Sequence, residues 1–331
     1  MNASAPTRRD FLATLALAGA AAPLAGTALA AEKKKKDAPA APAVPAGKLG
    51  ALHVFTKPMH EMSHAATAKL VAECGFTGLD YTVRKAQAHV LPEKVESDLP
   101  RAIDAARAAG LAVEMITTDI MSAREPHTET ILRTAAKHGV KFYRLGNYTY
   151  DAKLGILGTL EKLQPQLKEL GDLNATLGLH GAIQNHTGVR VGSPVWDLYY
   201  LLKDLDPRWI GVQYDIRHGT TEGGASWPLA LKMIAPWVRC SDVKDFRWEQ
   251  SPGKATVEAM PLGAGIVPLD AYYKLFRELG LGGPISIHLE YPPFEHGPKF
   301  ASAAEQRAAF ATALKKDAAV LKAVLAKNGL A

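Results

Sequence analysis

The run Leu177–His186, LGLHGAIQNH, carries the pattern that decides the fold. Small or polar residues alternate with apolar ones, which indicates a strand with one apolar face. Three later runs repeat this pattern, and each of the four carries, at or near its end, residues that can bind a metal ion. The four runs are Leu177–His186, Trp209–His218 (WIGVQYDIRH), Val238–Phe246 (VRCSDVKDF) and Pro284–Pro292 (PISIHLEYP). A barrel whose outer face packs on helices and whose mouth holds a polar site would show this pattern.

Strand-like and helix-like patterns alternate from about residue 49 to residue 331. Four earlier strands are predicted at Ala51–Lys57, Gly78–Val83, Ala112–Ile120 and Lys141–Tyr148. Eight helices are predicted at Ser63–Glu73, Val95–Ala109, His127–Lys137, Gly158–Leu173, Val195–Leu205, Trp227–Ile234, Leu269–Leu279 and Ala304–Leu325. This alternation predicts an α/β protein with a single (β/α)8 TIM barrel. An open doubly wound sheet would normally carry a glycine-rich phosphate turn after its first strand, and Phe55–Pro58 is no such turn.

The N-terminus predicts an export signal. Thr7–Leu12 contains a twin arginine, and an alanine-rich stretch follows it as far as a small-x-small cleavage site at Ala28–Ala30. We therefore expect residues 1–30 to be a twin-arginine signal peptide that engages the Tat export machinery, and the mature protein to be periplasmic or secreted. An ordinary Sec signal or an uncleaved anchor is the alternative. Residues 31–48 are expected to form a Lys/Ala/Pro-rich linker before the barrel at 49–331.

Composition argues against a nucleic-acid-binding surface. The formal net charge is +6, but the signal peptide and the linker carry most of it and leave the barrel at about +2. The apolar N-terminal stretch is too short and too rich in alanine for a transmembrane span, so we expect no stable membrane insertion. The two cysteines, Cys74 and Cys240, are expected to be buried free thiols.

Taken together, the strand-end motifs resemble those of the xylose isomerase-like barrel superfamily. The motifs are Gly75–Asp80 (GFTGLD), Gln184–Gly188 (QNHTG), Asp215–His218 (DIRH), Asp242–Asp245 (DVKD), Pro261–Gly265 (PLGAG) and the closing Glu290. That group includes sugar-phosphate isomerases and epimerases and, more distantly, endonuclease IV. The resemblance spans nearly the whole folded part and implies a small carbohydrate substrate. Barrels of this group often associate, so a homo-oligomer is a further expectation.

The resemblance also implies a divalent metal site. The positions that match the four ligands of the family are Gln184, Asp215, Asp242 and Glu290. Gln184 stands where the family has a Glu, and Asp242 stands where it has a His. A set of oxygen donors with three negative charges suits Mn²⁺ or Mg²⁺ better than Zn²⁺. Gln184 could instead hydrogen-bond the substrate or a neighbouring ligand, and Asp242 could belong to an ion-pair cluster with Lys244.

The change at Gln184 affects the expected chemistry. Epimerases of the family resemble two-base enzymes, in which a Glu on either face of the substrate moves the proton next to a carbonyl. An amide cannot accept that proton, so Glu290 remains as one base and its partner must be His186, His218 or Lys244. One base with one acid also suffices for β-elimination. A carbohydrate lyase acting on a keto-sugar glycoside is therefore the alternative to an isomerase or epimerase.

Further side chains at or after strand ends are expected to contact the substrate. They are Lys57, Arg84, His89 and Arg144, with Trp248 as a candidate for stacking on a sugar ring. Arginine and lysine at these places would bind an anionic or polyhydroxylated substrate. His180 and His288 lie deeper by strand period and are expected to be core histidines.

Two other functions stay open at this point. A non-catalytic carbohydrate-binding barrel would account for the changes at Gln184 and Asp242 as decay of a metal site. A repair role like that of endonuclease IV would need a histidine-rich zinc set and a basic face. The near-neutral barrel and the export signal both count against the repair role.

Overall fold

The computed structural model describes residues 47–295 and 300–331, so the predicted signal peptide and nearly all of the predicted linker lie outside the described residues. Eight parallel strands close into a barrel in which each strand pairs with the next along the chain, and the last pairs with the first. They are β1 Leu49–Phe55, β2 Gly78–Val83, β3 Met115–Thr118, β4 Phe142–Arg144, β5 His180–Gln184, β6 Ile210–Asp215, β7 Val238–Val243 and β10 Gly283–Ile287. This architecture confirms the predicted TIM barrel.

Helices follow the strands as predicted. They are α1 His64–Glu73, α2 Val95–Ala108, α3 Thr128–Lys137, α4 Gly155–Leu177, α5 Val195–Leu202, α6 Ile216–Gly223, α7 Trp227–Ile234, α8 Leu269–Glu278 and α9 Ala303–Lys327. Short 3-10 turns lie at Lys57–Met59, Pro92–Lys94, Gly224–Ser226 and Ala235–Trp237. None of the described helices combines the length and the apolar composition that a membrane span needs.

Helix α6 is an addition to the predicted elements. The sequence pattern extended the sixth strand to His218, but the strand ends at Asp215 and the helix begins at the next residue. The Asp215 carboxylate accepts a hydrogen bond from the backbone N–H of His218, which is the usual capping contact of an aspartate before a first helical turn. Asp215 therefore ends a strand and starts a helix at once.

A β-hairpin is the second addition. Strand β7 ends at Val243, and after Lys244 the chain enters β8 Asp245–Ser251 and β9 Lys254–Met260, which pair antiparallel. Pro252 and Gly253 form the turn, and Gly253 has a φ of +74°, which glycine adopts readily. The predicted strand Val238–Phe246 thus merges the whole of barrel strand β7 with the start of the hairpin.

The alternation of residues along the strands separates two apolar regions. Outward-facing residues such as Ile183 and Val212 belong to the large cluster that packs under the helices. A small cluster of Met115, Phe142, Ala182 and Cys240 lies inside the barrel. Cys74 and Cys240 are both buried free thiols, as predicted.

Two histidines inside the barrel make stability depend on pH. His53 and His180 are fully buried, and burial lowers their pKa to about 4 and about 3, respectively. In an unfolded chain such groups titrate near 6.5. Between about pH 6.5 and pH 4 the unfolded chain therefore binds more protons than the folded chain. The free energy of unfolding should fall as the pH falls through this window, by about 1.4 kcal/mol per pH unit for each such histidine.

Replacing His180 by leucine tests this dependence. We expect the pH slope of the free energy of unfolding to decrease by about 1.4 kcal/mol per pH unit, measured by urea denaturation at about pH 6 and about pH 5. His127→Asn, at an exposed histidine, is the matched control and should leave the slope unchanged. A His180→Leu variant with the wild-type slope would contradict the assignment.

Candidate active site at the mouth of the barrel

The four residues predicted as metal ligands, Gln184, Asp215, Asp242 and Glu290, converge at the carboxyl end of the barrel. Together they form the cluster called here the centre. Gln184, Asp215 and Asp242 lie at the ends of the neighbouring strands β5, β6 and β7, and Glu290 follows β10. Gln184 Nε2 donates to Asp215 Oδ2 at 3.0 Å and to Asp242 Oδ2 at 2.6 Å. Active sites of TIM barrels are built at this end.

Two glutamines act as donors in this centre. Gln184 Oε1 accepts a hydrogen bond from Arg144 Nη1 at 2.9 Å, so the amide nitrogen is the atom that faces the carboxylates. Gln213 Nε2 donates to Asp242 Oδ1 at 2.6 Å. In this arrangement Gln184 therefore donates to two of the other predicted ligands and turns its oxygen toward Arg144.

Lys244 lies between two of the carboxylates. Its Nζ is 3.2 Å from Asp215 Oδ2 and 2.8 Å from Glu290 Oε2, and its side chain is only 4% exposed. Burial alone would favour the neutral amine, but the ion pairs with Asp215 and Glu290 outweigh it and raise the pKa of Lys244. Lys244 is therefore a buried ammonium at neutral pH.

His288 bridges the same centre from inside the barrel. Its Nε2 is 3.1 Å from Asp242 Oδ1 and its Nδ1 is 3.2 Å from Glu290 Oε1, while its ring stacks on Phe55 with centroids 4.2 Å apart. Burial opposes protonation, but the Asp242 carboxylate and the contact with Glu290 raise the pKa of His288 to about 9. Although the partial burial of Glu290 opposes its ionisation, Lys244 and His288 hold its pKa well below the usual range.

The donor chemistry of this centre does not fit a divalent cation. The carboxylates of Asp215, Asp242 and Glu290 each accept from side-chain donors of the chain itself. An ion between Asp215 and Glu290 would have to displace the ammonium of Lys244. Within residues 47–295 and 300–331, no three His, Cys, Asp or Glu side chains are arranged as a metal-binding group.

Two stacked histidines stand beside the carboxylates. The rings of His186 and His218 are 4.2 Å apart. His218 is 1% exposed, and its Nδ1 accepts the Thr187 N–H at 3.3 Å, which leaves the protonated Nε2 facing Asp215 Oδ2 at 3.4 Å. His186 Nδ1 donates to the Thr187 carbonyl at 3.1 Å, so its Nε2 carries no proton. Burial, and then the charge of Lys244, lowers the pKa of His186 to about 4.

A cavity of about 550 Å³ opens above this centre. Of the four residues expected in catalysis, Glu290 and His186 line its wall. The side chain of Glu290 is 22% exposed. Lys244 and His218 are buried, do not line this cavity and contact Asp215.

The cavity wall is rich in cations. The wall contains three residues that the sequence predicts in substrate binding, Lys57, Arg84 and Arg144. It also contains two that the sequence analysis did not predict, Arg190 and Arg217. Lys57 pairs with Glu295, and Arg84 Nε lies 3.4 Å from Asp119. The other two glutamates of the wall are paired as well, Glu290 with Lys244 and Glu258 with Arg247.

Three arginines of the wall carry positive charge that no carboxylate matches. No carboxylate of the described residues lies within 4.0 Å of a guanidinium nitrogen of Arg144, Arg190 or Arg217. Arg144 is 5% exposed, and its Nε and that of Arg217 are buried without a hydrogen-bond partner in the described part of the chain. Burying a guanidinium without an anion is costly. The cavity is therefore suited to a ligand with acidic or strongly polar groups.

The other two residues expected in substrate binding, His89 and Trp248, do not line this cavity. His89 packs beside Tyr81 and lies 3.3 Å from the Thr67 hydroxyl, and burial lowers its pKa to about 3. Trp248 is on the hairpin, 41% exposed, with its ring edge against Phe246. Both follow strand ends in sequence, but the local packing directs them elsewhere.

The second aspartate of the DVKD run holds the hairpin base. Asp245 is 2% exposed, and its carboxylate accepts backbone N–H bonds from Phe246, Gly263, Gly265 and Val267 at 2.8 to 3.0 Å. A Cβ atom at Gly265 would lie 2.2 Å from Asp245 Oδ1, which explains the glycine there. The DVKD and PLGAG motifs thus meet in one structural contact.

The comparisons with known proteins agree with this fold. The family model described as xylose isomerase-like TIM barrel matches residues 68–323. A xylose isomerase domain protein from Planctomyces limnophilus has a TM-score of 0.60 at 16% identity, covering 85% of this chain and 99% of that chain. The 3-keto-D-glucoside 4-epimerase from E. coli has a TM-score of 0.58 at 14% identity, with coverages of 79% and 95%.

A third similar structure is a xylose isomerase-like TIM barrel protein from Mycobacterium smegmatis in complex with magnesium. Its TM-score is 0.54 at 18% identity, with coverages of 81% of this chain and 97% of that chain. At these identities the structures show the shared fold. No curated protein sequence matches the chain. Because the family model covers well over half of the sequence, the chain belongs to the xylose isomerase-like TIM barrel family.

Proposed function

We propose that this protein is a carbohydrate isomerase or epimerase that moves a proton at a carbon next to a carbonyl. The observation that carries the proposal is that Glu290 and His186 share the wall of one polar cavity. They follow β10 and β5, between which β7 and β6 lie in the barrel, so they approach a bound molecule from different sides. Membership of the family and similarity to an epimerase structure support a carbohydrate substrate.

The two groups are in the right states for proton transfer. The Glu290 carboxylate is ionised, and the imidazole of His186 is neutral with a free Nε2. One of them would take the proton from the carbon next to the carbonyl and, as the conjugate acid, could return it to the same intermediate. Return from the opposite face would use a proton that the second group takes up from solvent, while the first group releases its own proton to solvent. The negative charge that develops on the carbonyl oxygen would be stabilised by Arg144 and Arg217, which stand on the same wall without a carboxylate partner.

A carbohydrate lyase is the second candidate. The pair consists of a carboxylate and an imidazole, unlike the two glutamates of the family's epimerases. In a β-elimination the imidazole of His186 can take the proton from the carbon next to the carbonyl and deliver it, as an imidazolium, to the leaving oxygen, so that the proton ends on the released alcohol. The positions of Glu290 and His186 serve either reaction.

The substrate of either reaction should carry an acidic group. The three unmatched arginines would place a carboxylate of a sugar acid in the cavity, and arginine binds carboxylates through paired hydrogen bonds. The Mn²⁺ or Mg²⁺ predicted from the sequence takes no part in these steps, because the centre presents donors where a cation would bind. Export by the twin-arginine pathway stays a prediction.

Hydrogen exchange with solvent tests the proposal. The protein is incubated in ²H₂O with keto sugars and with the corresponding keto-uronates, and the C–H signal next to the carbonyl is followed by NMR. We expect that signal to disappear, faster for the acidic sugars, and Arg217→Gln to remove the preference. A new carbon–carbon double bond would identify the lyase. Binding without exchange or elimination in any of the sugars would identify a non-catalytic barrel and overturn the proposal.

A further inference from the structure

We propose that the ammonium of Lys244 takes the place of a divalent cation in this barrel, so that the site is complete without a metal. Lys244 follows Asp242 by two residues, and strand period directs both side chains into the barrel mouth. Its Nζ is within 3.2 Å of Asp215 and 2.8 Å of Glu290, two carboxylates from different sides of the centre. A cation is thus supplied by the chain itself.

The amide of Gln184 supports the same inference. A glutamate at this position would add a fourth carboxylate to the centre and would repel the carboxylates of Asp215 and Asp242. The glutamine instead donates from one nitrogen to both carboxylates, and its oxygen is occupied by Arg144. The residue therefore contributes a bridge between the two aspartates and removes one negative charge.

Gln213 completes the replacement. Its amide donates to Asp242 Oδ1, on the oxygen that Gln184 does not contact. Together the two amides and the Lys244 ammonium occupy the carboxylate oxygens that would otherwise face an ion. The amides of Gln184 and Gln213 and the ammonium of Lys244 are all buried, and each contacts a carboxylate. This points to replacement of the metal ion by groups of the chain rather than to decay of a metal site.

Lys244 would act as a positioning residue. It does not line the cavity, but it holds the Glu290 carboxylate in place through a 2.8 Å contact. This part of the inference rests on the proposed function, since it assigns Glu290 to the chemistry. The absence of a metal requirement does not rest on it, because metal binding is measured without any substrate.

The experiment measures Mn²⁺ binding to the full chain by calorimetry and by elemental analysis of protein purified without chelator. We expect far less than one metal ion per chain for the wild type. The single variant Gln184→Glu, which retains Lys244, should behave in the same way because the ammonium still occupies the centre. The double variant Gln184→Glu, Lys244→Ala should bind about one Mn²⁺ per chain, at least about 10-fold more tightly than wild type.

Two results would overturn the inference. One is about one tightly held metal ion per wild-type chain that is lost in Asp215→Asn. The other is solvent exchange that a chelator abolishes and added Mn²⁺ restores. If the double variant does not fold, the wild-type stoichiometry decides the question by itself. Failure of the proposed function would appear differently, as absent exchange in a metal-free protein.

Discussion

Replacing Glu290 by glutamine should slow proton exchange at the carbon next to the carbonyl by about 10²- to 10⁴-fold. The amide cannot accept the proton, yet it has the same size and can still contact Lys244 and His288. Substrate binding should therefore change much less than the rate. The measurement is NMR-detected exchange in ²H₂O together with calorimetric affinity for the same sugar.

Glu258→Gln provides the matched control for this variant. Glu258 lines the same cavity from the hairpin, and its carboxylate pairs with Arg247 at 2.6 Å. Because it stands on the rim, its replacement should leave the exchange rate within a few-fold of wild type. A Glu290→Gln enzyme with the wild-type rate would remove Glu290 from the chemistry and leave His186 as the group to replace next.

Replacing Asp245 by alanine should lower the free energy of unfolding by about 3 kcal/mol. The buried carboxylate accepts four backbone N–H bonds, three of which tie the hairpin base to the Gly263–Val267 loop. Alanine leaves those donors without their acceptor, and buried unpaired donors are costly. Urea denaturation at neutral pH measures the change.

An aspartate on the surface separates this effect from loss of charge. Asp270→Ala removes an exposed carboxylate that pairs with Lys327, and because solvent screens such pairs its loss should change the free energy of unfolding much less. An equally small loss for Asp245→Ala would mean that the loop donors find other partners, and would refute the structural role of the second aspartate in the DVKD run.

The barrel could be predicted because strand period fixes which side chains face inward. Ala182 and Cys240 lie inside the barrel, and Ile183 lies outside it, as the alternation requires. The same rule placed Gln184, Asp215 and Asp242 at one edge. Periodicity gives the side of the strand on which a side chain lies, and for these positions that side is enough to predict that they meet at the mouth of the barrel.

Contacts formed after the strand ends could not be predicted in the same way. Lys244 is the single residue between β7 and the hairpin, so the sequence pattern predicts one strand where the structure has two. Arg217 lies in the first turn of α6, where the sequence indicated a strand, and Arg190 lies in a loop. The sequence does carry a signal for helix α6, because an aspartate such as Asp215 often stands just before the first turn of a helix.

The hairpin forms one side of the cavity from a single stretch of sequence. One continuous segment, Asp245–Met260, supplies Val257, Glu258 and Ala259 to the cavity, while Glu290 and His186, the residues proposed to transfer protons, stand on the barrel. Asp245 fastens that segment at its base, independently of what its tip contains. Substitutions in a single stretch of sequence can therefore alter which sugars enter without moving Glu290 or His186, so substrate preference and chemistry can diverge separately in evolution.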